Sequence, residues 1–219
     1  MPKKPRLSVE ILQKEATVFA AAESSHPEKS LFGVTDGKAV GTYLEHKFTS
    51  YLHKKYVFQE GNSAKGIDFP ELEVDIKVTS IKQPQSSCPF KSAQQKIFGL
   101  GYSLLVFVYE KSDSGKSKTA RLNIKHVILV AKERTADFQI TREINKILSN
   151  QGNKDDLIAC LMDKNLPVDD IEANNIAEKI IKSPPLTGYL TISNALQWRL
   201  QYSRVIEKAG SVDGVIRLR

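Results

Sequence analysis

Six consecutive apolar residues, Leu104-Leu105-Val106-Phe107-Val108-Tyr109, constrain this chain more than any other feature in it. A strand that is apolar at every position offers no face to water, so it must be covered above and below, as in the centre of an α/β sheet. The cover is encoded upstream. Residues 7–24 read as a helix (Leu7, Val9, Ile11, Leu12, Val18, Phe19). Residues 37–54 read as another, with Val40, Tyr43, Leu44, Phe48, Tyr51 and Leu52 forming one apolar stripe. Ile124 to Ala131 reads as a further strand, and 139–149 as a helix with Ile140, Ile144, Ile147 and Leu148 on one side. The fold class is therefore α/β.

The rest of the chain supplies connections and a second region. Tyr56-Val57-Phe58 is expected as a short strand and Gly61-Asn62-Ser63 as a turn. Residues 66–80 read as two strands joined near Pro70. In the second of these Leu72, Val74, Ile76 and Val78 point one way, and Glu73, Asp75, Lys77 and Thr79 the other. Residues 83–90 are expected as loop, 91–99 as a helix ending at Gly99 or Gly101, and 112–118 as a polar turn. Residues 150–156 read as a linker. Short helices are expected at 155–163, 169–182 and 191–207, and a strand within Val212 to Leu218. This divides the chain into a core, 1–150, and a small helical C-terminal subdomain, 151–219.

Charge narrows the partners. Lys and Arg number 32 against 25 Asp and Glu, for a net charge of +7. The excess comes in blocks. Residues 76–109 hold Lys77, Lys82, Lys91 and Lys96 and no acid; 150–181 is acidic; 182–219 is basic again. A basic middle segment and a basic tail suit a polyanion such as nucleic acid. No apolar run approaches the roughly 20 residues needed to cross a bilayer. Basic residues near the N-terminus lack an apolar segment behind them, which argues against a signal peptide. Two cysteines, Cys88 and Cys160, are too few for a disulfide framework and read as reduced thiols of a cytoplasmic protein.

Chemistry is concentrated in Asp68 and Asp75-Ile76-Lys77. Period-two geometry puts Asp75 and Lys77 on one face, with β-carbons about 7 Å apart. Asp68 comes within reach if its segment pairs with theirs. Two carboxylates beside a lysine suit phosphodiester hydrolysis. The carboxylates hold Mg²⁺, a hard cation that prefers oxygen ligands, which activates a water. The lysine orients that water and stabilises negative charge at phosphorus. The same face could equally be a solvated strand surface.

Asp68, six intervening residues (69–74), then Asp75-x-Lys77 resembles the motif of the PD-(D/E)xK nucleases, in particular type II restriction endonucleases. The resemblance covers roughly residues 37–130. It implies a central mixed sheet flanked by helices, with Asp68 and Asp75 as metal ligands and Lys77 as the water-orienting base. Glu45, on the helix before the motif, would be an auxiliary ligand, and Lys91, Gln94 or Gln95 the residue that faces the site from the following helix. Ile67 stands where the family often has Pro, and Asp75 where Glu is commoner. Glu73, which shares the expected face of Asp75, is a competing ligand candidate. The function implied is Mg²⁺-dependent cleavage of double-stranded DNA at a specific sequence, by a homodimer, since one site cuts one strand. A repair or recombination nuclease of the same fold and a non-catalytic DNA-binding module are the alternatives.

Other motifs lead less far. Ser114-Gly115-Lys116-Ser117 lacks the first glycine of a phosphate-binding loop, having Glu110 there, and reads as a hairpin turn. His53-Lys54-Lys55 with Glu60 has the wrong final acid for a phospholipase D-type nuclease. His26, His46, His53 and His126 lack partners at zinc spacing, and His46 is expected half-buried. In the expected helix 191–207, Ile192, Leu196, Leu200 and Val205 face inward and Trp198 anchors packing. Asn194, Gln197, Arg199, Gln201 and Arg204 lie elsewhere on it. Arg199 and Arg204 are candidate DNA contacts, with Lys82, Lys91, Gln94 and Gln95.

Overall fold

The fold is that of a computed structural model, which describes residues 4–61, 66–89, 91–194 and 197–219. Of the sequence expectations, Asn62, Ser63, Phe90 and Leu196 lie outside this range. The chain forms two compact units. The first comprises residues 1–85, 103–130 and 208–219, the second 86–102 and 131–207. The chain thus passes between them four times, after residues 85, 102, 130 and 207.

The first unit is built on the apolar run. Strand β3 (Ser103–Ser114) contains it, and residues 104–109 are all buried. It lies between β1 (Val74–Ser80), which it pairs in parallel, and β4 (Thr119–Val130), which it pairs antiparallel. Strand β7 (Val215–Arg217) adds to β4 and completes a mixed four-stranded sheet of order β1-β3-β4-β7. The α/β class and the mixed sheet flanked by helices are as expected. Helix α1 (Val9–Ser25) packs on β4, and α2 (Gly37–His53) on β1. Phe48 stands 5.0 Å from Phe19 and 5.2 Å from Phe107, ring centre to ring centre, so both helices and the sheet meet in one aromatic contact. Truncating such a buried ring costs about 3–5 kcal/mol.

The seam between the two helices is polar. Glu15 of α1 accepts from the hydroxyls of Tyr51 and Tyr56 and from Lys55 Nζ at 2.8 Å. Two turns further along, Glu23 accepts from the Tyr43 hydroxyl at 2.9 Å and pairs with Lys47 at 2.9 Å. The sequence thus repeats a Tyr and a Lys four residues apart, Tyr43 and Lys47 on α2 and Tyr51 on α2 with Lys55 just past its end, each pair closing on one acid of α1.

The second unit holds α3 (Gln95–Phe98), α4 (Phe138–Ser149), α5 (Lys154–Asp163) and α6 (Asp170–Lys182), whose apolar faces share one core. It also holds a three-stranded sheet of order β2-β6-β5, made of β2 (Gln85–Pro89), β5 (Thr191–Ile192) and β6 (Gln197–Gln201). A short helix, α7 (Ser203–Lys208), follows.

Several local expectations are corrected. The helix expected at 91–99 shrinks to α3. The loop expected at 83–90 contains β2. The helix expected at 191–207 is instead β5, β6 and α7. Its helical spacing (Ile192, Leu200) competed with a period-two pattern, in which Trp198, Leu200 and Tyr202 are buried and Arg199 and Gln201 exposed. The sheet won because it buries three large side chains on one face. Tyr56-Val57-Phe58 contributes only a single bridge, Val57 to Arg6. The first of the two strands expected in 66–80 is replaced by a 3-10 turn, Pro70–Leu72, with Pro in its first position. Glu73 then adopts φ 52°, a left-handed conformation that ends the turn.

Candidate active site

The approach to Asp68 is set by a glycine. Gly61 N donates to Asp68 O at 2.8 Å, and a β-carbon on Gly61 would fall 1.7 Å from Ile67 O. Only glycine allows the chain to close on itself there. After Asp68, the 3-10 turn and the left-handed Glu73 reverse the chain, and Phe69 and Val74 exchange two backbone hydrogen bonds. This lays Asp68 beside the free edge of β1, whose other edge is taken by β3. Asp68 Oδ2 accepts from Ile76 N at 2.7 Å. The carboxylate therefore satisfies a backbone donor of the edge strand and is held against Asp75-Ile76-Lys77.

Asp75 is 3% exposed, so its face of the strand is not the solvated surface that charge alternation alone would allow. Its pKa is raised to about 7: burial pushes it up, the charge of Lys77 opposes this, and the neighbouring Asp68 adds to the rise. Lys77 Nζ lies 2.7 Å from Asp75 Oδ2. That contact is an ion pair without hydrogen-bond geometry, because the same buried oxygen accepts no hydrogen bond. Glu45, half-buried on α2, joins the group. Burial and then the charge of Asp68 raise its pKa, while Lys77 and His46 lower it. Asp68 and Lys77 thus act electrostatically on both Asp75 and Glu45, which ties three acids and one lysine together.

Such a cluster fits a hard divalent cation. Crowded acids with raised pKa values gain from an added positive charge, and Asp75 presents a buried oxygen with no hydrogen bond. Among the described residues no group of three or more His, Cys, Asp or Glu forms an assembled metal centre. Mg²⁺ does not require one, since it commonly takes one or two carboxylates and completes its shell with waters and substrate phosphate.

The remaining sequence candidates are distributed as follows. Glu73 is exposed, and its left-handed backbone breaks the alternation that put it on the face of Asp75. His46 is exposed rather than half-buried. His53 pairs with Glu60 at 3.2 Å and stacks on Phe58, a local contact. Ser114-Gly115-Lys116-Ser117 spans the β3–β4 hairpin turn, as expected. Lys82 is exposed just beyond β1. Lys91, Gln94, Gln95, Arg199 and Arg204 belong to the second unit. Lys91 is exposed. Gln94 Oε1 accepts from Lys179 at 3.1 Å, and Gln95 Nε2 donates to Leu100 O at 2.9 Å. Arg199 is exposed on β6, and Arg204 lies with its guanidinium 3.7 Å from the ring centre of Phe138.

Sequence reasoning missed one feature at this site and one in the second unit. It did not find the burial of Asp75, because alternation of charged and apolar residues fits a solvated strand face equally well. It also read residues 197–201 as helix, although Trp-Arg-Leu-Gln-Tyr at 198–202 alternates without a break.

Comparison with known proteins bears on the whole chain. No solved structure matches it. The type II restriction enzyme NspV of Nostoc sp. (strain ATCC 29411 / PCC 7524) is 67% identical over 210 residues, covering 96% of each chain. The family model described as type II restriction enzyme NspV matches residues 6–217, a span that takes in the Asp68–Lys77 cluster and both structural units. Near end-to-end agreement of this kind places the chain in the NspV family of type II restriction enzymes.

Proposed function

We propose that this chain is a type II restriction endonuclease that hydrolyses phosphodiester bonds of double-stranded DNA, with Mg²⁺, at the cluster of Glu45, Asp68, Asp75 and Lys77. Family membership makes it a sequence-specific DNA endonuclease and decides against the repair and non-catalytic alternatives. The observation that carries the assignment of the site is the buried Asp75 oxygen, which accepts no hydrogen bond yet lies 2.7 Å from Lys77 Nζ.

In this reading Asp68 and Asp75 hold the metal and Glu45 assists from α2. The ion, when bound, polarises the scissile phosphate and lowers the pKa of a water. Lys77 orients the attacking water and stabilises the charge that develops at phosphorus. Asp68 also keeps β1 in place through Ile76 N, so its carboxylate combines a ligand's role with a structural one. Lys82, Lys91, Gln94, Gln95, Arg199 and Arg204 are the candidate DNA contacts. A homodimer supplies one cluster per strand. A cytoplasmic location accords with two buried free cysteines, and among the described residues no helix is long and apolar enough to cross a membrane.

The test is a plasmid digest with Mg²⁺ or with EDTA, followed by run-off sequencing of the ends. Discrete fragments with one end sequence are expected with Mg²⁺ alone. Asp75→Ala should bind DNA without cutting it. Undiminished cutting by that variant would remove the site from this assignment.

A further inference from the structure

The second unit's sheet has two unlike faces. On one, Trp198, Leu200 and Ile192 are buried. On the other, Arg199, Gln201 and Ser87 are exposed, and Thr191 is half-buried. None of the residues of β2, β5 or β6 is Asp or Glu. The open face therefore carries a cation, an amide and hydroxyls, and its own strands contribute no carboxylate that would repel a polyanion.

Its geometry is ordered. In the antiparallel pairing of β5 and β6, Thr191 stands opposite Gln201. Ser193 spends its hydroxyl on Arg199 N, at 2.9 Å, and so fixes the backbone at Arg199. Arg199 Nη1 donates to Ser87 Oγ of the neighbouring strand at 3.3 Å. One of the guanidinium's five N–H donors is thereby used to hold its plane, and the others stay available. Arg204 is not on this face; it lies on α7 with its guanidinium over the ring of Phe138.

We propose that this open face is the sequence-reading surface of the enzyme, and that Arg199 and Gln201 are specificity-determining residues that read base edges in the major groove. The inference rests on the restriction-enzyme reading above and adds the recognition chemistry to it. Arginine pairs bidentately with guanine O6 and N7, and glutamine with adenine N6 and N7. Two residues along a strand advance about 6.6 Å, which matches two base-pair steps of about 3.4 Å each. Arg199 and Gln201 are thus spaced to reach bases two steps apart when β6 follows the groove. A two-stranded ribbon fits the major groove, which is about 12 Å wide.

The experiment uses the full chain. The wild-type site is defined by run-off sequencing, and kcat/KM is then measured on duplexes carrying every single base-pair change in it. Arg199→Lys, Arg199→Ala and Gln201→Ala are compared, with Tm as a check on folding; both positions are exposed, so Tm should hold. Each variant should lose about ten- to a hundred-fold on the native site. The Arg199 variants should lose discrimination at one G·C position, and Gln201→Ala at one A·T position. Losses spread evenly over all sequences, with the salt dependence lowered by about one phosphate, would mean a backbone contact and overturn the proposal. Unchanged base preference would overturn it as well. A wild-type chain that cuts no duplex would instead bring down the nuclease reading and this inference with it.

Discussion

Asp68 Oδ2 accepts the backbone N–H of Ile76 at 2.7 Å, so the first acid of the motif grips the strand between its second acid and its lysine. The bond crosses the turn at Pro70–Leu72 and lies along the free edge of β1, opposite the edge that β3 occupies. An unpaired edge is a liability in any sheet. Here the Asp68 carboxylate covers part of it, and the relative placement of Asp68 and Asp75 becomes a property of the backbone rather than of two free rotamers.

Asp68 can therefore be dissected by two substitutions. Asp68→Asn keeps an oxygen that can accept from Ile76 N and removes the charge; cleavage should fall by orders of magnitude while Tm stays near wild type. Asp68→Ala should lose cleavage and also about 1–2 kcal/mol of stability, because the Ile76 donor loses its partner. Urea unfolding of both variants checks this. Equal stability of the two would show that the hydrogen bond contributes nothing to the fold.

Asp75 makes the stability of the fold depend on pH. Its folded pKa, about 7, exceeds the ordinary value near 4, so the folded state binds its proton more tightly than the unfolded one. The resulting stability is complete below pH 4 and is lost as pH rises through 7. Asp75→Asn cannot titrate. In EDTA at pH 8 it should be more stable than wild type by roughly 1–3 kcal/mol, a gap that closes toward pH 4. Mg²⁺ should raise the Tm of wild type and leave the variant unmoved. Thermal melts over this pH range, with and without Mg²⁺, decide it; a variant less stable than wild type at pH 8 in EDTA contradicts the argument.

The sequence made some of this legible and hid the rest for physical reasons. Leu104 to Tyr109 announced a central strand because no other element can bury six apolar residues in succession. The stripes of α1 and α2 were readable for a similar reason, since one period dominates each. Asp68, Asp75 and Lys77 stand out in the sequence by residue type and spacing, and Glu45 is implied by the family resemblance; Asp68 and Lys77 act electrostatically on both Asp75 and Glu45. The turn at Pro70 was located, but the left-handed Glu73 was not, because a single residue's φ leaves no periodic trace. Residues 191–207 misled because Ile192 and Leu200 satisfy a helical spacing while Trp198, Leu200 and Tyr202 satisfy a strand's. Burial of Trp198 and Tyr202 in the second unit settled a conflict that local pattern alone leaves open. The interleaving of the two units was invisible, since it depends on contacts distant in sequence.

The charge blocks predict a steep salt response. Asp75→Ala provides a non-cleaving protein in which binding alone is measured. If each chain neutralises several phosphates, affinity for a non-specific duplex should fall by about a hundred-fold or more between 50 and 200 mM salt. Lys82→Ala and Lys91→Ala, both at exposed positions, should each lower the slope of log K against log salt by about one. Fluorescence anisotropy over a salt series reports the slope, and a flat profile would remove the phosphate backbone from the account.

The polar seam between α1 and α2 makes the first unit sensitive to acid. Burial alone would raise the pKa of Glu15, but hydrogen bonds from Lys55, Tyr51 and Tyr56 outweigh it and hold the carboxyl at about 2. A folded pKa below the unfolded value, near 4.3, means that this stabilisation is present above pH 4.3 and is lost as pH falls through about 2. Glu15→Gln keeps the shape and one acceptor but removes the charge that Lys55 pairs with, and its amide presents donors where the tyrosine hydroxyls also donate. The variant should be less stable than wild type by about 1–2 kcal/mol at pH 7. That difference should shrink steadily between pH 5 and pH 2, as wild type loses the charge that the variant already lacks. Lys55→Met in the same background separates the ion pair from the tyrosine hydrogen bonds: added to Glu15→Gln it should cost little more, because the ammonium has already lost its carboxylate. Urea titrations across the pH series supply both readings, and a pH-independent difference between wild type and Glu15→Gln would assign the loss to packing instead of charge.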